Sequence, residues 1–376
     1  MLSYEITDKL TIKLKEISDI AAKWAAVLGS FPPSIKEIMR RYARISNIGS
    51  TTRIENAVLT DVEVDWLDRT LSQDGRTTSF EQNKNYIANK LSKERERSIE
   101  EVAGCRAMLE IISNQAEDLF PLTETAIRGL HKELLRFYPP AEHYCGQYKT
   151  SPNNVVEKIL GTTIQRDVLK TADPGPITEA AMNDLIAWYN ADLRMFPWVI
   201  AVAAEFTFRF LAIHPFPDGN GRLGRGLFAM ILLQSHDTNL KAVTPYIALD
   251  RHTEKNKEEY YWVLRKCSDG KFSQDPKQYK IEYFLEFILK MLKEAMNHDV
   301  NFYQERAVAH NTLTESMRKI LETFKDHPEK KLALKDVLEY AQLPRSTTIR
   351  ILNDLVTQNF LQKIGKRPAV KYQLMF

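Results

Sequence analysis

The residues best equipped for chemistry lie in one run, His214-Pro215-Phe216-Pro217-Asp218-Gly219-Asn220-Gly221-Arg222-Leu223-Gly224-Arg225. His214 is the one group there whose ordinary pKa lies near neutrality, so it can accept a proton. Asp218 offers hard oxygen atoms of the kind that hold Mg²⁺ beside phosphates. Gly219 and Gly221 let a ligand approach the backbone closely. Arg222 and Arg225 supply forked donors for phosphate oxygens, and their spacing puts them on one helix face. The elements that must position these groups flank them. Val199 to Ile213 is mostly apolar and predicts a buried helix, and Leu227 to Leu233 predicts a second. The polar cluster then occupies the turn between two buried helices. A glycine-rich turn that opens a helix points free N–H groups and a positive dipole end at an anion.

This run resembles the signature of the Fic-domain proteins, His-x-Phe-x-(Asp/Glu)-Gly-Asn-Gly-Arg-x-x-Arg, at every defined position. The resemblance implies transfer of AMP from ATP to a Ser, Thr or Tyr hydroxyl of a protein, with release of pyrophosphate. It implies His214 as general base and Asp218 as the Mg²⁺ ligand. Gly219, Asn220 and Gly221 are then the anion hole, continued by Leu223 and Gly224 in the ATP-binding run. Arg222 and Arg225 hold the outer phosphates, and Phe216 is a core anchor. Relatives that transfer phosphate instead carry lysine at the place of Gly221, so nucleotidyl transfer is expected. The same site run in reverse would strip AMP from a modified protein, with Glu55 positioning a water.

Far upstream, Thr51-Thr52-Arg53-Ile54-Glu55-Asn56 resembles the family's inhibitory motif, (Ser/Thr)-x-x-x-Glu-(Gly/Asn). Thr51 and Glu55 are four apart and share a helix face. A glutamate reaching Arg225 would take the fork meant for the γ-phosphate. ATP would then bind with its α-phosphate turned away from the attacking hydroxyl.

Composition sets the bounds. The chain has 376 residues, 44% hydrophobic and 27% charged, enough for two or three domains. A net charge of +3 gives no general pull toward polyanions. Cys105, Cys145 and Cys267 form no Cys-x-x-Cys pair, which fits neither a zinc site nor a disulfide framework. There is no basic-then-apolar leader pattern at the N-terminus and no run long enough to span a membrane, so a cytoplasmic protein is expected.

Helical spacing runs from Thr7 to Leu28 through Leu10, Leu14, Ile17, Ile20 and Ala21. Phe31-Pro32-Pro33 breaks it, and Ser34 is placed to cap the next helix. Further helices are expected over Val62 to Leu71 (ended by a Gln73-Asp74-Gly75 turn), Asn83 to Leu91, Ile99 to Ala116 and Thr123 to Phe137. The Lys93 to Arg97 charge run reads as a solvated face. Gly146-Gln147-Tyr148-Lys149 resembles the family's opening of a β-hairpin flap. Val155-Val156, Ile159-Leu160, Gly161 and Val168 supply the β-branched and glycine pattern of a hairpin. Its strand edge suits pairing with an extended target segment, which places a target protein, or the chain itself, near residues 153–172. Thr178 is placed to cap a helix through Trp188. Tyr260, on a helix around Glu258 to Leu264, is by resemblance an adenine contact. Relatives often carry asparagine eight residues later, where this chain has Ser268.

The C-terminal part reads as a separate unit. Phe284 to Met296 closes the core, and Asn297 to Asn311 reads as a linker. Helices over Glu315 to Phe324, Leu334 to Tyr340 and Ser346 to Asn359, the last capped by Ser346, precede two strands with a basic turn. This order resembles a winged helix. Used on DNA, it would place Arg345, Arg350, Lys363, Lys366 and Arg367 on phosphates and make the chain a regulator with a residual nucleotide site. Few base-reading side chains are present and Asp354 opposes DNA, so protein contact or dimer packing is the preferred use. The expected architecture is mainly α: a helical region 1–100 with the inhibitory helix at about 45–60, a Fic-type core 101–296 with its flap, a linker 297–311, and a winged helix-turn-helix 312–376. The implied partners are ATP with Mg²⁺, a target protein, and a possible second copy of the chain.

Overall fold

The computed structural model describes residues 2–72, 79–158, 165–193, 196–365 and 369–376. Helices α1 (Asp8–Gly29), α2 (Pro33–Ile54), α3 (Asp61–Ser72), α4 (Ser79–Leu91), α5 (Glu96–Gln115) and α6 (Glu124–Leu135) come first. A hairpin of β1 (Asn154–Lys158) and β2 (Gln165–Lys170) follows. Then come α7 (Pro176–Asp192), α8 (Val199–Ile213), α9 (Asn220–Leu233), α10 (Thr238–Val243), α11 (Leu249–Lys255), α12 (Lys257–Ser268) and α13 (Ile281–Asn311). The C-terminal unit holds α14 (Glu315–Lys325), β3 (Leu332–Ala333), α15 (Leu334–Ala341), α16 (Arg345–Thr357), β4 (Leu361–Ile364) and β5 (Lys371–Leu374).

Helix α8 sits at the centre. Apart from Arg209, all of its residues are buried, as expected for a helix apolar all round. Helices α9 and α13 pack on it. Helix α1 lays one stripe, Leu10, Leu14, Ile17, Ala21, Trp24 and Leu28, on the same core. A second apolar cluster joins the end of α2 with α3, α4 and α5 through Ile48, Trp66, Phe80 and Val102. The winged helix has its own core around Ile320, Phe324, Val337 and Leu352. Its three strands pair antiparallel with β5 in the middle.

Three expected caps are not caps. Proline opens the helix ahead of each. Pro33 starts α2, Pro344 precedes α16, and Pro176 starts α7, so Ser34, Ser346 and Thr178 lie inside first turns. Thr178 instead donates to the Asp173 carbonyl at 2.7 Å. Thr7 and Thr123 do cap, accepting from Leu10 and Ala126.

The expected linker is also corrected. Residues 297–311 are the last turns of α13, whose buried Val300, Tyr303 and Ala307 keep helical spacing through a polar stretch. Arg306, in those turns, donates to the Asn359 carbonyl at 2.5 Å and the Met375 carbonyl at 2.6 Å. The ring of Phe376 packs edge-on against Tyr42 of α2 at 5.1 Å. The Lys93–Arg97 run is exposed, as expected, apart from Arg95, which is half-buried and bonded to Glu63 at 2.5 Å. The Gln73-Asp74-Gly75 turn, the hairpin tip at 159–164, and Lys366 and Arg367 lie outside the described residues.

Candidate active site

The site is built on the junction of α8 and α9. Helix α8 ends at His214, which takes a left-handed conformation (φ 52°) and so swings its ring out of the helix line. His214 Nδ1 lies 3.2 Å from the Leu211 carbonyl. A carbonyl only accepts, so Nδ1 carries the proton and Nε2 of the neutral ring is left to take one. Burial and then the neighbouring Lys149 ammonium push the His214 pKa down to about 4. The ring is therefore uncharged at neutral pH, the state a base needs.

The loop is braced from inside. Asn220 accepts from Phe216 N–H at 2.9 Å and donates to the Phe216 carbonyl at 2.6 Å. Its side chain is thus spent on the turn, and only its backbone N–H can serve an anion. Asn220→Ala leaves the buried Phe216 N–H without a partner and takes one of two donors from the Phe216 carbonyl, which Asn153 still holds. It is expected to cost roughly 1–3 kcal/mol of folding stability, read by denaturant unfolding. Gly219, at φ 79°, precedes α9 in a conformation that favours glycine. The first-turn N–H groups of Asn220, Gly221 and Arg222 have no helical carbonyl to bond.

Two buried arginines face the same place. Arg222 lies 3.3 Å from Asp218 Oδ1. Its Nε and Nη1, and Nη1 of Arg225, are buried without a hydrogen-bond partner. Buried donors left open in this way fit an anionic ligand. Gly219 N–H holds Asp218 Oδ1 at 2.6 Å, while Oδ2 is 4.0 Å from Arg97. That leaves a carboxylate oxygen suited to a divalent ion.

The Thr51–Asn56 segment meets Arg225. Glu55 follows α2 directly, and Asn56 behind it is left-handed at φ 75°. Arg225 donates Nη2 to Glu55 Oε1 at 2.9 Å, and Nε and Nη2 to Thr51 Oγ1 and its carbonyl at 2.7 and 2.9 Å. A Cβ placed on Gly221 would lie 2.1 Å from Glu55 Oε1. The carboxylate therefore occupies the mouth of the α9 N-terminus. Burial raises its pKa, but Arg225 and Arg222 together outweigh that, and the net shift is downward. Such a shift stabilises the contact above the ordinary carboxylate pKa and is lost as pH falls through the lowered value. The contact is thus intact at neutral pH.

Glu55, His214, Asp218, Gly219, Asn220, Gly221, Arg222 and Tyr260 line one cavity of about 250 Å³. Asn154, Val155 and Val156 line it too, so β1 runs along its rim. The far edge of β2 is partly covered, since Lys170 bonds Gly270 and Phe272 and Arg265 bonds the Asp167 carbonyl. Leu223 and Gly224 lie one turn into α9 and are buried; Gly224 is close-packed against Phe210 and Leu211. Tyr260 is buried on α12 beside Arg225. Ser268 Oγ is spent on the end of α12, donating to the Leu264 carbonyl at 3.0 Å.

Sequence reasoning missed the residues that hold the loop from behind. His131 on α6 stacks on Phe216 with ring centroids 3.9 Å apart. It accepts from Gly146 N–H at 2.8 Å and donates to the Asp218 carbonyl at 2.9 Å. Lys149 is buried and donates to Asn153, Thr171 and the Ile213 carbonyl at 2.8 to 3.0 Å. Burial pushes its pKa down to about 8. Asn153 in turn donates to the Phe216 carbonyl at 2.8 Å, tying the hairpin root to the loop.

Residues 121–232 match the Fic/DOC family model, which contains this whole loop. They form a Fic/DOC domain. Residues 319–365 match the IclR helix-turn-helix domain, within the winged helix. A curated relative, protein adenylyltransferase fic-1 of Caenorhabditis elegans, is 25% identical over 109 residues, covering 24% of this chain and 22% of that protein. The chain thus spans about a fifth of that relative. Among solved structures, a Fic family protein from Desulfovibrio desulfuricans G20 superposes with a TM-score of 0.58 at 22% identity, covering 100% of this chain and 98% of that one. A Fic domain containing signaling protein from Bacteroides thetaiotaomicron VPI-5482 gives 0.53 at 22% identity, over 79% and 98%. Fic-1 from C. elegans gives 0.53 at 17% identity, over 77% and 71%. At these identities the superpositions speak for the fold. Among the described residues no helix is long and apolar enough to cross a membrane.

Proposed function

We propose that this Fic protein is a protein adenylyltransferase held off by Glu55. The observation that carries the reading is the meeting of Glu55 with Arg225 over Gly221, at a helix N-terminus already fitted for an anion. A carboxylate there stands where a terminal phosphate of ATP would lie. The cavity of about 250 Å³ falls below the roughly 300–1,000 Å³ usual for small-molecule sites, in keeping with a site partly filled by the protein itself.

In the open state, the free N–H groups of α9 and the unpaired donors of Arg222 and Arg225 hold the phosphates. Asp218 Oδ2 would hold Mg²⁺, which when bound offsets phosphate charge. His214 Nε2 takes the proton of a target hydroxyl as its oxygen forms a bond to the α-phosphorus. The bond to the β-phosphate bridge breaks, and pyrophosphate leaves with that electron pair. The β1 edge, beside His214, offers main-chain pairing to an extended target segment. Tyr260, beside Arg225 and lining the same cavity, is the adenine contact in this reading.

Two measurements test it. The Glu55→Gly chain incubated with MgATP and a cell lysate is expected to yield proteins heavier by one AMP, read by mass spectrometry. A gain of phosphate instead would refute nucleotidyl transfer. The pH profile of the same variant is expected to keep its acid limb near about pH 4, because His214 stays neutral down to that value. A limb at the ordinary imidazole pKa would count against His214 as the base.

The IclR-type match favours a second reading for the C-terminal unit alone. Arg345, Arg350 and Lys363 are exposed on it and free to meet phosphates. A gel shift that weakens steeply with added salt would support DNA binding there, and no shift would leave the unit to protein contacts.

A further inference from the structure

We infer that His252, His298 and Asp299 form a binding site for a zinc-class dication, away from the His214 cavity. His252 belongs to α11, and His298 and Asp299 to α13. Asp299 is fully buried, and its Oδ2 is committed to the Ala248 N–H at 2.8 Å. Its Oδ1 lies 3.0 Å from His252 Nε2 and 3.2 Å from His298 Nδ1. The three ligand atoms all fall within 4.8 Å of one another.

A tetrahedral ion with bonds of about 2.0–2.2 Å keeps its ligands roughly 3.3–3.5 Å apart. Both nitrogen–oxygen separations are already within a few tenths of an ångström of that. The remaining gap, between the imidazoles, closes by turning His298, which is exposed, toward the buried His252 and Asp299. Glu294 Oε2 stands 3.6 Å from His252 Nδ1. A carboxylate behind a ligating imidazole orients the ring and strengthens it as a donor. His252 and His298 also line an open cavity of about 770 Å³, which gives an ion a path in and water a free coordination position. Two imidazoles and a carboxylate suit zinc and its neighbours, whereas Mg²⁺ prefers oxygen alone. A plain hydrogen-bonded link between α11 and α13 would need only His252 and Asp299. It gives no reason for a second imidazole aimed at the same oxygen.

The position has a consequence for α2. Helix α11 holds α2 through Glu254, 2.7 Å from Arg53, and through Asp250 N–H, 3.2 Å from Asn47. An ion joining α11 to α13 would stiffen the support behind Thr51 and Glu55. The site itself stands independently of the adenylyl-transfer reading.

The test uses the full chain, stripped with a chelator and titrated with Zn²⁺ by calorimetry, with metal content measured after desalting. One equivalent is expected, together with a rise in melting temperature that grows with Zn²⁺ concentration. Excess Mg²⁺ should not displace it. His298→Ala, exposed and so harmless to folding, is expected to weaken binding at least tenfold. Equal zinc affinity in the two proteins, or no zinc retained by the unaltered chain, would overturn the proposal.

Discussion

Glu55→Gly is expected to raise AMP incorporation roughly ten- to hundredfold. The estimate follows from what the carboxylate does. It is bonded to Arg225 at 2.9 Å and stands over Gly221, so a γ-phosphate must displace it. A hydrogen bond to a charged group is worth about 1.5–3 kcal/mol, and each 1.4 kcal/mol is about tenfold in rate or affinity. Removing the side chain also frees the Arg225 fork without unpairing it altogether, because Thr51 still holds two of its donors. The variant should therefore fold normally. Glu55→Gln, which keeps the bulk but loses the charge, should fall between the two. Radiolabelled ATP, counted in precipitated protein, reads all three. Equal incorporation by the unaltered chain and Glu55→Gly would remove the case for autoinhibition.

His214→Ala in the Glu55→Gly background is expected to lower incorporation by about 10²–10⁴, the usual worth of a positioned base. Nucleotide binding should survive, because no phosphate-facing donor is touched. The separation matters, since His214 also ends α8 and its backbone N–H bonds Phe210 at 2.9 Å. Alanine keeps that bond, although a left-handed φ of 52° costs it some strain. A melting curve alongside the assay guards against mistaking a fold defect for lost catalysis. Incorporation that persists without His214 would move the base elsewhere, and the neutral ring would then be only a filler of the cavity.

The candidate loop was legible because its polar groups are contiguous. Twelve consecutive residues carry the histidine, the carboxylate, the glycines and both arginines, and the apolar runs beside them announce buried helices. Thr51 and Glu55 were legible for the same reason, since four residues on a helix fix a shared face. What sequence could not show is what folding brings from a distance. His131 sits on an apolar stripe with Ile127, Leu130 and Leu134, where a lone histidine looks like a packed core residue. Its bonds to Gly146 and Asp218 exist only in the fold. Lys149 looked like one residue of a hairpin opening, yet it is buried with three acceptors. The linker reading failed because polar residues between Val300, Tyr303 and Ala307 hid a sparse but regular stripe. Asn220 keeps its backbone N–H for an anion at the start of α9, while its side chain closes the loop, a division of labour that sequence does not show.

One titration decides the matter most directly: MgATP added to the Glu55→Gly chain in a calorimeter, with the unaltered chain alongside. Saturable heat in the variant, with tighter binding than in the unaltered chain, is the expected result. Flat traces from both proteins would mean that the α9 N-terminus and its two arginines do not grip a triphosphate.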